Sequence, residues 1–214
     1  MSAMRAAAVA LLCVFASVAH GEPVSRERMM ELCANVEGPA HCARIIEAEQ
    51  LKQLPDLAKR DGDTLTIKLF PSGTRVLADT LAANNEKSYA LWDYWSPVNA
   101  AVLFVASGED VSYAVLQRTT GQLTTLPAEP LLAPDRQRVA VADFCSRNCT
   151  NEVSVWRITR DGIRKELAWK PPADWGDVTV AWKDGDTLVL QYDPPAGDRK
   201  TVERKLAAAD WKRP

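Results

Sequence analysis

The chain has 214 residues, of which 47% are hydrophobic and 25% are charged, and its formal net charge is −2. This length and composition predict a globular protein with a full hydrophobic core, in one domain or one domain with a small appendage. Acidic and basic residues are interspersed without a basic stripe, which argues against nucleic acid as a partner, and no basic amphipathic segment indicates a membrane surface.

The first 21 residues have the features of a secretory signal peptide. Arg5 supplies a positive charge, an apolar run extends from Ala6 to Val18, and small residues before Gly21 suit a signal peptidase. The run is too short to span a membrane as a mature helix, and no second long apolar stretch follows. We therefore expect a periplasmic or secreted protein with no transmembrane segment after cleavage.

Four cysteines follow the predicted signal peptide: Cys33, Cys42, Cys145 and Cys149. An even number in an exported chain indicates two disulfides, and three connectivities are possible. The spacing favours a local pairing, in which the first two would join the helices of a hairpin and the last two would close a loop between strands. The spacing does not match a zinc knuckle, and no phosphate-binding or dinucleotide motif occurs, so we expect neither metal nor cofactor.

Residues 22–57 are predicted to form a helical hairpin appended to the rest of the chain. Ser25 is a suitable N-cap for the first helix. Gly38-Pro39 interrupts the pattern, and Pro39 suits the first position of a second helix, which ends near Pro55. The apolar residues of the second helix cover a wide arc, so we expect contacts on two of its sides.

Residues 58–214 have the two-residue hydrophobic period of β-strands, between turns that contain Gly or Pro. The turn Asp61-Gly62-Asp63 is repeated at Asp184-Gly185-Asp186. Equivalent strands lie about forty residues apart, which is the period of a β-propeller blade. The sequence therefore predicts a mainly β domain of about three and a half β-propeller-like blades, closed by pairing of its first and last strands or left open; an irregular β-sandwich is the alternative.

Residues 130–162 combine a turn and strands in a distinctive order. Ala133-Pro134-Asp135-Arg136 precedes an apolar strand, a second strand contains Trp156, and Asp161-Gly162 follows. This segment resembles one blade of the TolB-type or WD-like β-propeller repeats, whose turn is of the type Ser-Pro-Asp-Gly. Ala133 here replaces the serine and Arg136 the glycine. The resemblance implies a fold and not an activity, since such folds host many functions.

Histidine is too scarce for most catalytic arrangements. Only His41 follows the signal peptide, and it lies beside Cys42 without a nucleophile or base around it, so we expect a surface histidine. We therefore predict no enzymatic activity. The alternative is a carbohydrate-active hydrolase that uses two carboxylates. Five acidic residues near strand ends are candidates for that role: Asp93, Glu109, Asp110, Asp143 and Glu152.

Four aromatic residues crowd one short segment: Tyr89, Trp92, Tyr94 and Trp95. On a regular strand, Trp92 and Tyr94 would share one face, and Tyr89, Leu91 and Trp95 the other. Both faces cannot be equally exposed, so at least half of these residues belong to the core. The exposed ones are candidate binding residues for a protein, peptide or sugar, and packing between blades is the alternative.

Export, the predicted disulfides and the aromatic segment together predict binding rather than catalysis. We expect a non-catalytic binding protein of the cell envelope, an accessory, inhibitor or immunity-type factor that recognises an envelope protein or a cell-wall glycan. Ser107-Gly108 and Tyr113 resemble the short loop of membrane-bound and periplasmic lysozyme inhibitors, which carry a lysine at the position of Ser112. That resemblance implies an inhibitor.

The exported protein is expected to begin at Gly21 or Glu22, or at His20 if cleavage follows Ala19, because small residues precede these positions. N-terminal sequencing of periplasmic or secreted material checks this expectation. Material that still begins with Met1 would contradict export through a cleaved signal peptide.

Overall fold

The computed structural model describes residues 22–80, 86–145, 148–171 and 175–213. The predicted signal peptide therefore lies outside the described residues. Two α-helices come first, α1 (Arg26–Cys33) and α2 (Pro39–Gln53). Ser25 caps α1, since its side chain accepts a hydrogen bond from the backbone N–H of Arg28, and Pro39 is the first residue of α2, as predicted.

Within the described ranges, fourteen strands follow the helices and form four separate antiparallel sheets, each made of strands that are consecutive along the chain. Sheet 1 consists of β1 (Ala58–Asp61), β2 (Thr64–Lys68) and β3 (Thr74–Ala78). Sheet 2 consists of β4 (Ser88–Trp95), β5 (Ala100–Ser107), β6 (Asp110–Gln117) and β7 (Gln122–Leu126). Sheet 3 consists of β8 (Pro130–Leu132), β9 (Arg138–Asp143), β10 (Glu152–Thr159) and β11 (Gly162–Trp169). Sheet 4 consists of β12 (Gly176–Trp182), β13 (Thr187–Asp193) and β14 (Lys200–Lys205).

Hydrophobic clusters join the sheets in chain order. One cluster lies between sheets 1 and 2, a second between sheets 2 and 3, and a third between sheets 3 and 4. The mainly β class with an N-terminal helical hairpin is confirmed. Within the described ranges, the first and last sheets do not share a strand pair, so ring closure by pairing of these strands does not occur. Fully buried side chains of these clusters include Leu65, Ile67, Leu91, Leu103, Leu116, Leu126, Leu167, Leu188 and Leu190.

Helix α2 covers the free edge of β4 and bonds to its backbone through buried side chains. Glu47 Oε2 accepts a hydrogen bond of 2.8 Å from the backbone N–H of Leu91. Gln50 Nε2 donates to the carbonyl oxygen of Trp92 at 2.9 Å. Glu47 is 2% exposed and Gln50 is fully buried. The segment that the sequence sets apart as an appendage, 22–57, is thus packed into the β domain.

Two arginines complete the contacts along this edge. Arg44 Nη1 and Arg60 Nη2 both donate to the carbonyl oxygen of Tyr89, at 2.9 and 2.6 Å. Both guanidiniums also form ion pairs with Glu47 and Asp79, whose side chains are 3% and 4% exposed. The backbone N–H of Tyr89 donates to Asp79 Oδ1 at 2.9 Å. Each buried carboxylate therefore has cationic partners and a backbone N–H, which offsets the cost of its burial.

The cysteines form the two local pairs predicted from their spacing. Cys33 at the end of α1 is bonded to Cys42 in α2, with Cα atoms 5.3 Å apart. Cys145 is bonded to Cys149 in the loop between β9 and β10, with Cα atoms 5.5 Å apart. The first bond joins the two helices of the hairpin, and the second closes a loop between two strands.

A β-bulge in β4 changes the faces on which its aromatic residues lie. Leu91 pairs with Leu103, and Asp93 pairs with Val102, so Trp92 is an extra residue between them. An extra residue exchanges the two faces for every residue that follows it.

Trp92 and Trp95 consequently pack on the side of sheet 2 that faces sheet 3, whereas Tyr89, Leu91 and Tyr94 pack on the side that faces sheet 1. The prediction that Trp92 and Tyr94 share a face, opposite Tyr89, Leu91 and Trp95, is wrong because it assumes regular alternation along the whole strand.

Replacing Glu47 by alanine would remove the carboxylate shared by Arg44 and Arg60 and the acceptor of the Leu91 N–H. We expect the free energy of unfolding to fall by about 3 to 5 kcal/mol, because one partner of a buried ion pair is lost. Glu49→Ala on the same helix removes an ion pair with a largely exposed lysine and should lower the free energy of unfolding far less. Urea titration of both variants measures the difference, and equal losses would contradict the role of Glu47.

Candidate functional site

The four aromatic residues predicted as a binding surface do not form one exposed surface. Trp95 is 8% exposed, and Tyr89, Trp92 and Tyr94 are half-buried on opposite faces of sheet 2. The ring of Trp92 lies 5.9 Å from that of Phe104, within the core between sheets 2 and 3. These residues contribute mainly to packing, and Trp92 and Trp95 also line a cleft.

Two adjoining clefts lie where sheet 2, sheet 3, sheet 4 and α1 come together. The first has a volume of about 320 Å³ and the second about 220 Å³. Arg26, Glu129 and Leu131 line both clefts, so these residues mark their common boundary. We call the two together the central cleft. Further lining residues are Val111, Tyr113, Asp143, Phe144, Val178 and Val180 in the first cleft and Met29, Trp92, Asp93, Trp95 and Val102 in the second.

Glu129, in the connection between β7 and β8, is at the middle of the central cleft. Its Oε1 forms an ion pair with Nη2 of Arg26, the first residue of α1. The same oxygen accepts a hydrogen bond of 3.1 Å from the indole Nε1–H of Trp92. The Glu129 side chain is 35% exposed and that of Arg26 is 54% exposed. This ion pair is therefore accessible to solvent.

The charge of Glu129 affects two neighbouring groups. Burial, and to a lesser extent the charge of Glu129, raise the pKa of Asp93 above its ordinary value, although hydrogen bonds from Tyr94 and Trp95 oppose the rise. Burial and the same negative charge also raise the pKa of the Tyr113 hydroxyl, so this phenol stays protonated at neutral pH. The central cleft thus holds Glu129 beside a carboxyl group and a phenol whose pKa values are both raised.

The other carboxyl groups of the central cleft are engaged by their own surroundings. Asp93 accepts hydrogen bonds from the backbone N–H of Tyr94 at 2.6 Å and from the indole of Trp95 at 3.1 Å. Asp143 is 5% exposed and accepts from both the backbone N–H and the hydroxyl of Thr150, at 2.8 and 2.7 Å. Asp143 therefore holds Thr150, the residue after Cys149, at the end of β9.

A second aromatic cluster, which the sequence did not single out, adjoins the first cleft at Phe144. The rings of Trp175 and Tyr192 are stacked 3.6 Å apart, and Phe144 lies nearly parallel to Trp175 at 6.4 Å. Trp169 meets Trp175 edge to face at 5.4 Å. The four residues come from four separate strands or connections, so no local sequence pattern indicates the cluster.

The remaining candidates lie outside the central cleft. Glu109 and Asp110 are exposed in the turn region between β5 and β6, and Glu152 forms an ion pair with Lys165. His41 is exposed in the first turn of α2. The structure therefore brings only two of the five candidate carboxylates, Asp93 and Asp143, to the central cleft.

The residues that resemble a lysozyme-inhibitor loop are also separated. Ser107 and Gly108 are exposed in the β5–β6 turn, whereas Tyr113 is 9% exposed in the wall of the first cleft. The sequence does not single out Arg26 and Glu129, which mark the boundary of the two clefts, because one charged residue at the start of a helix or in a connection has no distinguishing pattern.

Comparisons with known proteins find no matching protein-family model, no similar curated protein and no similar solved structure. Among the described residues, no group of three His, Cys, Asp or Glu side chains is arranged to hold a metal ion. No helix within the described ranges has both the length and the apolar character required to cross a membrane.

Asp93 gives the protein a pH dependence of known sign. Because the pKa of Asp93 is raised in the folded state, the native protein binds this proton more tightly than the unfolded chain does. The contribution of Asp93 to stability is therefore most favourable below the unfolded pKa and declines as pH rises toward the folded pKa. The asparagine of the Asp93→Asn variant cannot titrate. The free energy of unfolding of the unmutated protein should therefore fall relative to that of the variant as pH rises.

Urea titrations of both proteins across the acidic range measure this difference. Replacing a carboxylate oxygen by an amide group near Trp95 also changes the free energy of unfolding by an amount that does not depend on pH. The informative quantity is therefore the slope of the free energy of unfolding against pH. Asp56→Asn, at a fully exposed side chain, controls for loss of a negative charge elsewhere. Parallel profiles for the native protein and Asp93→Asn would contradict the expectation.

Proposed function

We propose that this chain is an exported, non-catalytic binding protein of the cell envelope that recognises a protein or cell-wall ligand at the central cleft. The observation that carries the proposal is the accessible Arg26–Glu129 ion pair in a concave site with apolar and aromatic walls. Concave, largely apolar sites with few polar groups are the usual form of ligand sites in proteins. The tryptophans predicted as binding residues take part through Trp92 and Trp95.

The hydrogen bonding of the carboxyl groups supports binding rather than acid–base catalysis. Both oxygens of Asp93 and Oδ2 of Asp143 accept hydrogen bonds from neighbouring residues, and Glu129 accepts from Arg26 and Trp92. A general acid or base needs a carboxyl group that can reach a substrate atom. Groups held in this way fix the shape of the walls and the charge of the site.

The two disulfides support export. Disulfides persist in oxidising compartments and are rare in the cytosol. Each closes a short loop and is expected to stabilise the fold by about 2 to 3 kcal/mol. Together with the predicted signal peptide, they support a periplasmic or secreted location.

The four sheets support the proposal that residues 58–214 form an open array of propeller-like blades. Each sheet consists of consecutive antiparallel strands, and successive sheets pack face to face. Arg136 has a φ of 60°, a backbone conformation that glycine adopts easily, and it stands where the TolB-type repeat has glycine. The N–H of Arg136 donates to the carbonyl oxygen of Ala133 at 2.9 Å, as in a tight turn.

Val111→Arg, which places a long cationic side chain in the first cleft, should abolish ligand capture by the mature protein. Val76→Arg is the matched control, since Val76 is 57% exposed on sheet 1. The experiment combines capture from envelope extract with co-sedimentation on purified cell-wall glycan, and thermal unfolding confirms that both variants are folded. A species retained by the native protein and by Val76→Arg, but not by Val111→Arg, supports the proposal. Failure to retain any species, or equal retention by both variants, would overturn it.

One observation favours hydrolysis by two carboxyl groups as a second candidate function. Burial raises the pKa of Asp93, which lies near the Glu129 carboxyl group, and glycoside hydrolysis uses a pair of carboxyl groups of which one has a raised pKa. The test is release of reducing ends from cell-wall glycan. Release that is lost in both Asp93→Asn and Glu129→Gln, but kept in Glu109→Gln, would establish hydrolysis in place of pure binding.

A further inference from the structure

The Arg26–Glu129 ion pair is not explained by the needs of the helix that carries Arg26. Arg26 is the first residue of α1, where the helix dipole disfavours a positive charge, and the favourable acidic residue of this turn is Glu27. The guanidinium extends instead into the central cleft and meets Glu129, which is 103 residues distant in the chain. The position of the Arg26 guanidinium is therefore set by Glu129 in the cleft and not by the helix.

The position of α1 does not depend on this ion pair. The disulfide between Cys33 and Cys42 joins α1 to α2, and Met29 is buried against Ile46. The backbone N–H of Val24, just before the helix, donates to Gln50 Oε1 at 3.1 Å. The Arg26 side chain, at 54% exposure, can leave Glu129 without movement of the helix.

The composition of the central cleft suits a cation. Among its described lining residues, Arg26 is the one cationic group, and it pairs with the accessible carboxyl group of Glu129. Asp93 and Asp143 add two further carboxyl groups, which are hydrogen-bonded to their own neighbours. Trp92 lies beside Glu129 and donates its indole N–H to the same oxygen that Arg26 binds. When Arg26 turns away, a carboxylate beside aromatic walls is left without its cation.

We propose that the central cleft receives an arginine side chain of a partner protein, and that Arg26 occupies the same position on Glu129 when the partner is absent. This inference rests on the proposed binding function and specifies its ligand chemistry. The partner's guanidinium replaces that of Arg26 on the Glu129 carboxylate, and the apolar walls contact the arginine methylenes. Displacement is feasible because solvent-exposed ion pairs are weak.

The test uses a capped Gly-Arg-Gly peptide and the same peptide with citrulline, a neutral isostere of arginine. The NMR signal of the Trp92 indole N–H, assigned with Trp92→Phe, reports on the Glu129 carboxylate. We expect a saturable shift with the arginine peptide that weakens as salt is added, and no saturable shift with the citrulline peptide. Equal shifts with both peptides, or displacement by cell-wall glycan fragments alone, would overturn the inference.

Two variants separate the roles of the ion-pair partners. Arg26→Ala removes the internal competitor and should tighten binding of the arginine peptide by about two- to fivefold. Arg28→Ala is the matched control on the same helix, because Arg28 is similarly exposed and pairs with Glu31. Glu129→Gln keeps an acceptor for Trp92 but loses the charge, and should weaken binding at least about tenfold.

An affinity of Arg26→Ala equal to that of Arg28→Ala, or native-like binding by Glu129→Gln, would contradict the inference. A different outcome is that Val111→Arg abolishes capture of an envelope ligand but the arginine peptide does not bind. In that case the central cleft takes a ligand of other chemistry, and only this inference fails. If no envelope ligand is captured, the proposed function itself fails.

Discussion

The free edge of β4 is the constraint on which the assembly of this protein depends. An uncovered strand edge exposes unpaired backbone groups that invite pairing with other chains. Here the carbonyl oxygens of Tyr89 and Trp92 and the N–H of Leu91 are bonded by side chains of α2 and β1. Asp79, directly after β3, completes the set. The edge is satisfied only when the helical hairpin, sheet 1 and sheet 2 have assembled together, which is why the hairpin belongs to the domain.

Local patterns are sufficient to predict the two helices, the mainly β class of the rest of the chain and the disulfide pairing. Ser25, Pro39 and the short cysteine spacings act over a few residues, so the sequence carries their signals directly. The faces of β4 were assigned wrongly because the bulge at Trp92 arises from pairing with β5. Register between strands is a property of two segments at once, and the period within one strand does not reveal it.

The central cleft was only partly predictable for the same reason. The aromatic segment was identified, and the bulge directs both Trp92 and Trp95 toward sheet 3, where they reach the cleft. Glu129 and Arg26 become significant only when chain segments 103 residues apart meet. A charged residue in a connection resembles any solvated one until its partner is known. The Arg26–Glu129 pair can therefore be recognised from the three-dimensional structure but not from the periodicity or composition of the sequence.

The stacking of sheets in chain order has a further consequence for local unfolding. Each of the three large clusters joins neighbouring sheets, an arrangement in which stability accumulates from nearest-neighbour interfaces as in repeat proteins. Sheet 4 rests on the third cluster, to which Trp211 near the C-terminus contributes. Val178 and Val180 of this sheet form one wall of the first cleft. Subglobal opening of sheet 4 would thus dismantle that wall while Glu129 and sheet 2 stay in place, so occupancy of the cleft and hydrogen-exchange protection of the last sheet are thermodynamically linked.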